Sequence, residues 1–167
     1  MAVVNLKGSR IMTGLTKVKP EIAAPGLAGG RLRKWVETLE TGADDSTSST
    51  YLVARLPSNA RILGSSRISH DALGTTTATF NIGVYNVPGK SHITDDDDAI
   101  NDGIVCSTSG TKEFIKDRAD WGKCLWQFVS GATKDPQGML DIKLKLTTAH
   151  LSSGAGTVTV EIDYTID

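Results

Sequence analysis

Cysteine is scarce and aromatic residues are few. Cys106 and Cys124 are the only cysteines, in no CxxC arrangement, and Phe, Tyr and Trp together make up 5% of the chain. Two unspaced cysteines exclude a disulfide-stapled scaffold or a zinc ribbon. Their apolar neighbours mark them as buried thiols in a reducing compartment. Charge of one sign is also missing. The formal net charge is −1 and Lys and Arg are spread along the chain, so no basic patch supports direct nucleic-acid binding. Long apolar runs are lacking too. Met1 to Arg10 has no signal-peptide core and no window reaches transmembrane length, so a protein made and folded in a cytoplasm, off the membrane, is expected. Catalytic signatures are absent as well. No Ser stands in a GxSxG context and no HExxH or zinc-spaced Cys/His set occurs. Gly154-Ala155-Gly156-Thr157 lacks the Lys and upstream Gly of a phosphate loop and leads into a strand, so it reads as a hairpin turn.

What is present is a chain of 167 residues, 39% hydrophobic and 22% charged, which suits one globular domain. Near-neutrality leaves it little charge repulsion against self-association, as fits a subunit of an assembly. Residues Met1 to Gly30 stand apart. They carry Gly8, Gly14, Pro20, Pro25, Gly26, Gly29 and Gly30 without sustained periodicity, and this density of Pro and Gly argues against a long helix or central strand. The expectation is an extended N-terminal arm over 1–30 followed by a single domain over 31–167.

Three segments of the domain alternate cleanly. Ala78, Phe80, Ile82 and Val84, then Leu140, Ile142, Leu144 and Leu146, then Val158, Val160, Ile162, Tyr164 and Ile166 each interleave with polar or small residues. Such period-two alternation puts one strand face on a core and the other in water. Tyr51 to Leu56 and Arg61 to Ile68 read as shorter strands around a Pro57-Ser58-Asn59 turn. Arg31 to Glu40 fits a helical stripe through Leu32, Trp35, Val36 and Leu39, but its β-branched and aromatic content favours a strand. The sum is a mainly β protein, an antiparallel β-sandwich of jelly-roll-like form. One segment departs from it. Trp121, Cys124, Leu125, Phe128 and Val129 follow helical spacing, with Asp120 as cap and Gly131 as the left-handed terminator, which predicts one short amphipathic helix. Trp126 falls off that stripe and points either to the arm or to a partner.

Asp95-Asp96-Asp97-Asp98, with Asp102 and Gly103 close behind, is the most concentrated charge. A calcium ion would offset it, but the Asp spacing, central Gly and distal Glu of an EF-hand loop are absent, so a solvated acidic loop is the plainer expectation. His70, His92 and His150 are dispersed. His70-Asp71 suggests an oriented imidazole, yet neighbours on an extended chain point to opposite faces. No metal, cofactor or catalytic residue is assigned.

Tyr51-Leu-Val-Ala-Arg-Leu-Pro-Ser-Asn-Ala-Arg-Ile-Leu, followed by Asp71-Ala-Leu-Gly and Thr79-Phe-Asn-Ile-Gly-Val-Tyr, resembles a pattern of tailed-phage structural proteins. In that group an R-L-P-x-N-A-R-I stretch precedes an I-G-x-Y strand, then an Asp-rich turn and D-G-I, matched here by Asp95 to Asp98 and Asp102-Gly103-Ile104. Gly122 to Phe128 with Asp135-Pro136, and the last strand from Gly156 to Tyr164, are similar too. The resemblance spans Arg31 to Asp167 and lies in the order of the segments. It implies a non-enzymatic virion component, a capsid decoration or cement protein whose partner is the major capsid protein on the capsid surface. It also implies a homo-oligomer, a trimer at a local three-fold or else a dimer, since bridging a seam takes roughly 800 Å² per partner and gains from avidity. Under that reading the candidate interface residues are Ile11, Leu15, Val18 and Ile22 of the arm, Arg31, Arg33 and Lys34 beyond it, and the ring of Trp126. Three other readings stay open: a tail or head–tail connector subunit, a carbohydrate-binding adsorption module, and a hydrolase using the acidic run.

Overall fold

A computed structural model of the chain describes residues 30–42, 45–73, 78–148 and 156–166. The arm residues Ile11, Leu15, Val18 and Ile22, together with His150 and with Gly154 and Ala155 of the expected hairpin turn, lie outside the described residues. The described residues form nine strands: β1 (Leu32–Thr41), β2 (Thr50–Pro57), β3 (Arg61–Ile62), β4 (Arg67–His70), β5 (Thr79–Asn86), β6 (Asp96–Val105), β7 (Gly110–Glu113), β8 (Met139–Leu146) and β9 (Gly156–Thr165). The ambiguous segment after Arg31 is a strand, and its odd-numbered residues Trp35 and Leu39 turn inward against the core.

The pairing is nested. β5 pairs antiparallel with β6, β4 with β7, β2 with β8 and β1 with β9. The chain is thus one long hairpin with its tip between β5 and β6. Rolled up, it makes two sheets, one in the order β1-β9-β4-β7 with β3 also on β9, the other in the order β2-β8-β5-β6. That is the jelly roll expected from the sequence. The inward residues of the three alternating segments, Phe80, Ile82 and Val84 with Leu140 to Leu146 and Val158 to Ile162, are fully buried between the sheets. Each central strand therefore contributes a row of apolar side chains to the core, and deleting one leaves a cavity costing about 2–5 kcal/mol.

The predicted helix does not form. Two short 3-10 turns, Arg118–Asp120 and Leu125–Phe128, replace it. The first is capped by Asp117, not Asp120, through an acceptor bond from Ala119 N. Gly122 then takes φ 81° and breaks the run. Beyond it the backbone N–H groups do not return to carbonyls four residues back. Gly122 N donates to Ile62 O (2.8 Å), Leu125 N to Ala60 O (2.8 Å) and Trp126 N to Ser58 O (3.1 Å), while Ile62 N donates to Lys123 O. Residues 122–126 thus run along the 58–62 segment as a strap over the sandwich edge. Helical spacing identified Cys124, Leu125, Phe128 and Val129 as buried correctly, because a 3-10 turn also brings residues three apart to one side. It misplaced Trp121, which is 40% exposed. Gly131 does adopt φ 76°, as expected of a turn terminator.

The acidic run also differs from expectation. Asp96 to Asp98 open the edge strand β6 and are not part of a loop. Their partner strand allows it at Gly83, where a Cβ would lie 2.4 Å from the Asp96 carbonyl oxygen and 2.7 Å from the Asp97 backbone. Two register shifts between β5 and β6 mark the same crowding. Both cysteines are buried and neither forms a disulfide. Cys106 donates from Sγ to Ala78 O, and burial pushes its pKa up to about 11, which keeps it protonated and unreactive.

Gly83→Ala should lower folding stability by about 1–3 kcal/mol, the range for forcing an extra methyl into a packed site. Urea unfolding checks it, and an unchanged midpoint would show that β6 does not lie against Gly83.

Candidate interaction surfaces

Each sheet turns one face outward. On the β1-β9-β4-β7 sheet the register fixes rows across the strands. Thr38 pairs with Thr159, Thr159 with Ser69 and Ser69 with Thr111. Their hydroxyls bond at 3.0 Å (Thr38–Thr159) and 2.8 Å (Ser69–Thr111). This row is uncharged, exposed at Thr38 and Thr111 and half-buried at Thr159 and Ser69. The adjacent row, Val36–Glu161–Arg67–Glu113, carries charges of both signs. Lys34 Nζ bonds Glu161 Oε2 at 2.8 Å and lies 3.6 Å from Asp163 Oδ1. Asp163 itself is buried. Its Oδ2 accepts from Ser65 Oγ at 2.7 Å, while Oδ1 makes no hydrogen bond; at 3.6 Å the Lys34 contact is an ion pair without a proton bridge. The Lys34 pKa is raised, first by the Glu161 hydrogen bond.

The outward face of the second sheet carries two groups of polar contacts. Arg55 grips Asp141 with two bonds, Nε to Oδ1 at 2.6 Å and Nη2 to Oδ2 at 3.0 Å, and the Asp141 side chain is 1% exposed. Lys143 Nζ stands 4.5 Å over the Tyr85 ring. Tyr85 OH donates to Asp97 Oδ1 at 2.8 Å, and Lys145 Nζ donates to Asp97 Oδ2. The Lys145 hydrogen bond, opposed by partial burial, holds the Asp97 carboxyl below its ordinary value. Asp98 goes the other way, raised by a hydrogen bond shared with Asp96 and then by burial. Asp95 Oδ1 accepts from the Asn86 backbone N and side-chain Nδ2, and Asp96 Oδ2 from Ser130 N. The acidic run is therefore answered by lysine, tyrosine and amide groups. Among the described residues no group of three or more acidic, His or Cys side chains is placed to hold a metal.

The expected interface residues fall in different places. Arg31, Arg33 and Lys34 are exposed at the start of β1, on the edge of the first sheet. Trp126 is half-buried and packs against the core, so the exposed indole is another one. Trp121 lies over Gly64, where a Cβ would come within 2.2 Å of its ring, with the Arg118 guanidinium 5.8 Å from the ring centroid. The sequence signal that could have found it was Gly122, a helix breaker one residue after Trp121. Leu32, Val36 and Leu52, exposed by 62%, 55% and 49%, were also missed as surface groups, because apolar residues in alternating strands are read first as core. His70 ends β4 buried, with Nδ1 on the Asp71 carbonyl and Nε2 without a partner, while the Asp71 carboxylate accepts from Thr157 N. The pair is no catalytic dyad.

No protein-family model and no curated protein matches the sequence. Among solved structures, a chain of the cyanophage Pam1 capsid asymmetric unit is similar, with a TM-score of 0.59 at 17% identity, over 91% of this chain and 97% of that one. A chain from the capsid of Ralstonia phage GP4 is similar as well, with a TM-score of 0.59 at 12% identity, over 93% of this chain and 94% of that one. What is shared is the fold. In both cases it is shared end to end, between chains of nearly equal length.

Asp97→Asn should flatten the acid limb of the stability profile. A depressed carboxyl adds stability at neutral pH that is lost as pH falls through its folded-state pKa. Asp98 has the opposite sign, its contribution being present in acid and lost as pH rises through its raised value, so Asp98→Asn should steepen that limb. Urea unfolding between about pH 7 and pH 3, which spans the ordinary carboxylate range, checks both. Parallel profiles for the two variants would contradict the network.

Proposed function

We propose that the protein is a non-enzymatic structural component of a phage virion, a decoration or cement protein that binds major capsid protein subunits on the capsid surface and stabilises the head. The observation that carries this reading is the end-to-end likeness in fold to chains of two phage capsids, each about as long as this one. A cement protein must be a rigid body with broad outward faces. Here both outward sheet faces carry side chains hydrogen-bonded to one another, as the Thr38–Thr159 and Asp97–Lys145 contacts illustrate. Binding a capsid then orders few side chains that are not ordered already, which limits the entropic cost of docking. In this reading the residues before Gly30 serve as an arm reaching a neighbouring subunit through Ile11, Leu15, Val18 and Ile22, with Arg31, Arg33 and Lys34 next in sequence.

The sequence resemblance supports the same reading through other residues, Arg55 to Ile62 and Ile82 to Tyr85 among them. Arg55 forms the two-bond pair with buried Asp141, and the Pro57–Ala60 turn is closed by Ala60 N on Pro57 O at 2.9 Å and by Ser58 Oγ on Asp135 at 2.6 Å. The motif is thus a folding motif of the sandwich.

Purified protein added to capsids of the phage that encodes it should co-sediment with them at a fixed stoichiometry and raise the temperature at which they release DNA. Deleting residues 1–29 should weaken that binding by tenfold or more while leaving the melting temperature of the domain unchanged. Binding to isolated tails or connectors in preference to heads would move the protein to another virion position, and binding to neither would remove the reading.

A further inference from the structure

The nested hairpin leaves β1 as a ten-residue strand with a neighbour on one side only, β9, among the described residues. Such an edge presents unpaired N–H and C=O groups and is a template for another strand unless something blunts it. β2, the edge of the other sheet on the same side, is blunted by a register shift between Leu52 and Ala54, and Val53 O is taken by Trp35 Nε1 at 2.8 Å. β1 has no bulge in its pairing with β9 and contains no Pro. It presents Leu32 and Val36 to solvent, with Leu52 exposed on the outward face of β2.

The charges along β1 are ordered. Arg31, Arg33 and Lys34 stand at its start, Glu37 and Glu40 in its second half. An edge that reads basic and then acidic is complementary to itself when antiparallel. We propose that β1 pairs with β1 of a second copy about a two-fold axis at Val36, joining the two four-strand rows into one continuous sheet. In that register Val36 meets Val36 of the second copy, an apolar centre. Lys34 and Arg33 come within diagonal reach of Glu40 and Glu37 of the copy, and the symmetry repeats both pairs. Slipping by two residues is disfavoured either way: one shift sets Glu37 against Glu37, the other brings Lys34 toward Lys34. The outward and inward faces stay in phase, because residues paired across an antiparallel ladder project on one side. Trp35, half-buried at the groove between β1 and β2, would be covered from the copy's side, completing burial that a single chain leaves unfinished. This inference stands on β1 alone and does not require the capsid role.

Val36→Cys in the full-length chain tests the register. The substituted side chain is exposed, and a two-fold at residue 36 places the two Cα atoms within disulfide reach. Mild oxidation should give a covalent dimer for Val36→Cys and none for Thr38→Cys, whose copies would lie about 13 Å apart, four strand residues away. Buried Cys106 and Cys124 leave the unsubstituted protein uncrosslinked. Light scattering should show twice the monomer mass at low ionic strength, with dissociation several-fold stronger in molar salt. A monomer at all concentrations, or equal crosslinking at both positions, would overturn the proposal. Capsid binding by a monomeric protein would leave the function above standing while this pairing fell.

Discussion

The pairing of the first strand with the last governs this molecule. β1 and β9 join residues more than a hundred positions apart, from Leu32 with Thr165 to Thr41 with Gly156. Every inner pair of the nested hairpin lies inside that closure. A loop this long carries a large entropic cost before its contacts form, although the cost rises only slowly with length. It is offset by apolar rows that exist only once both sheets are present. Val158, Val160 and Ile162 are buried because β5 and β8 face them from the other sheet. The topology is rich in long-range contact, so folding should be slow relative to a helical protein of this size.

Closing the roll in this way also decides what the surface is made of. With the alternating apolar rows of the central strands turned inward, most outward positions hold Thr, Ser, Lys, Arg, Asp and Glu, and register puts partners opposite one another. The buried Asp141 carboxylate is gripped by Arg55. A buried carboxylate without such a partner would cost several kcal/mol. The result is a body whose faces are set by its core.

The strong alternation over 78–84, 140–146 and 158–166 was enough to identify the central strands and the sandwich, since period two has no other structural meaning at that length. The start of β1 was ambiguous because Leu32, Trp35, Val36 and Leu39 satisfy both periods, and only pairing with β9 resolves them. The strap over 121–128 was misread because burial at spacings of three and four is common to an α-helix and to a chain bent by 3-10 turns; hydrogen bonds to residues 58–62, invisible in the sequence, made the difference. β6 was missed since four consecutive aspartates oppose strand propensity. Tertiary partners, Lys145, Tyr85 and Ser130 among them, override it. Of the candidate surface, the cluster Arg31, Arg33 and Lys34 was legible as exposed charge, whereas the exposed indole is Trp121 and not Trp126, because strand and strap geometry set which ring the core receives.

Native-state hydrogen exchange across the chain tests the closure most directly. If β1 and β9 close the roll as one unit, the β1 amides that face β9 will open with the same free energy as those of β9 itself, near the global stability. If β1 instead exchanges within minutes while β9 stays protected, the first strand peels off independently. The closure would then not be what the remainder of the sandwich depends on.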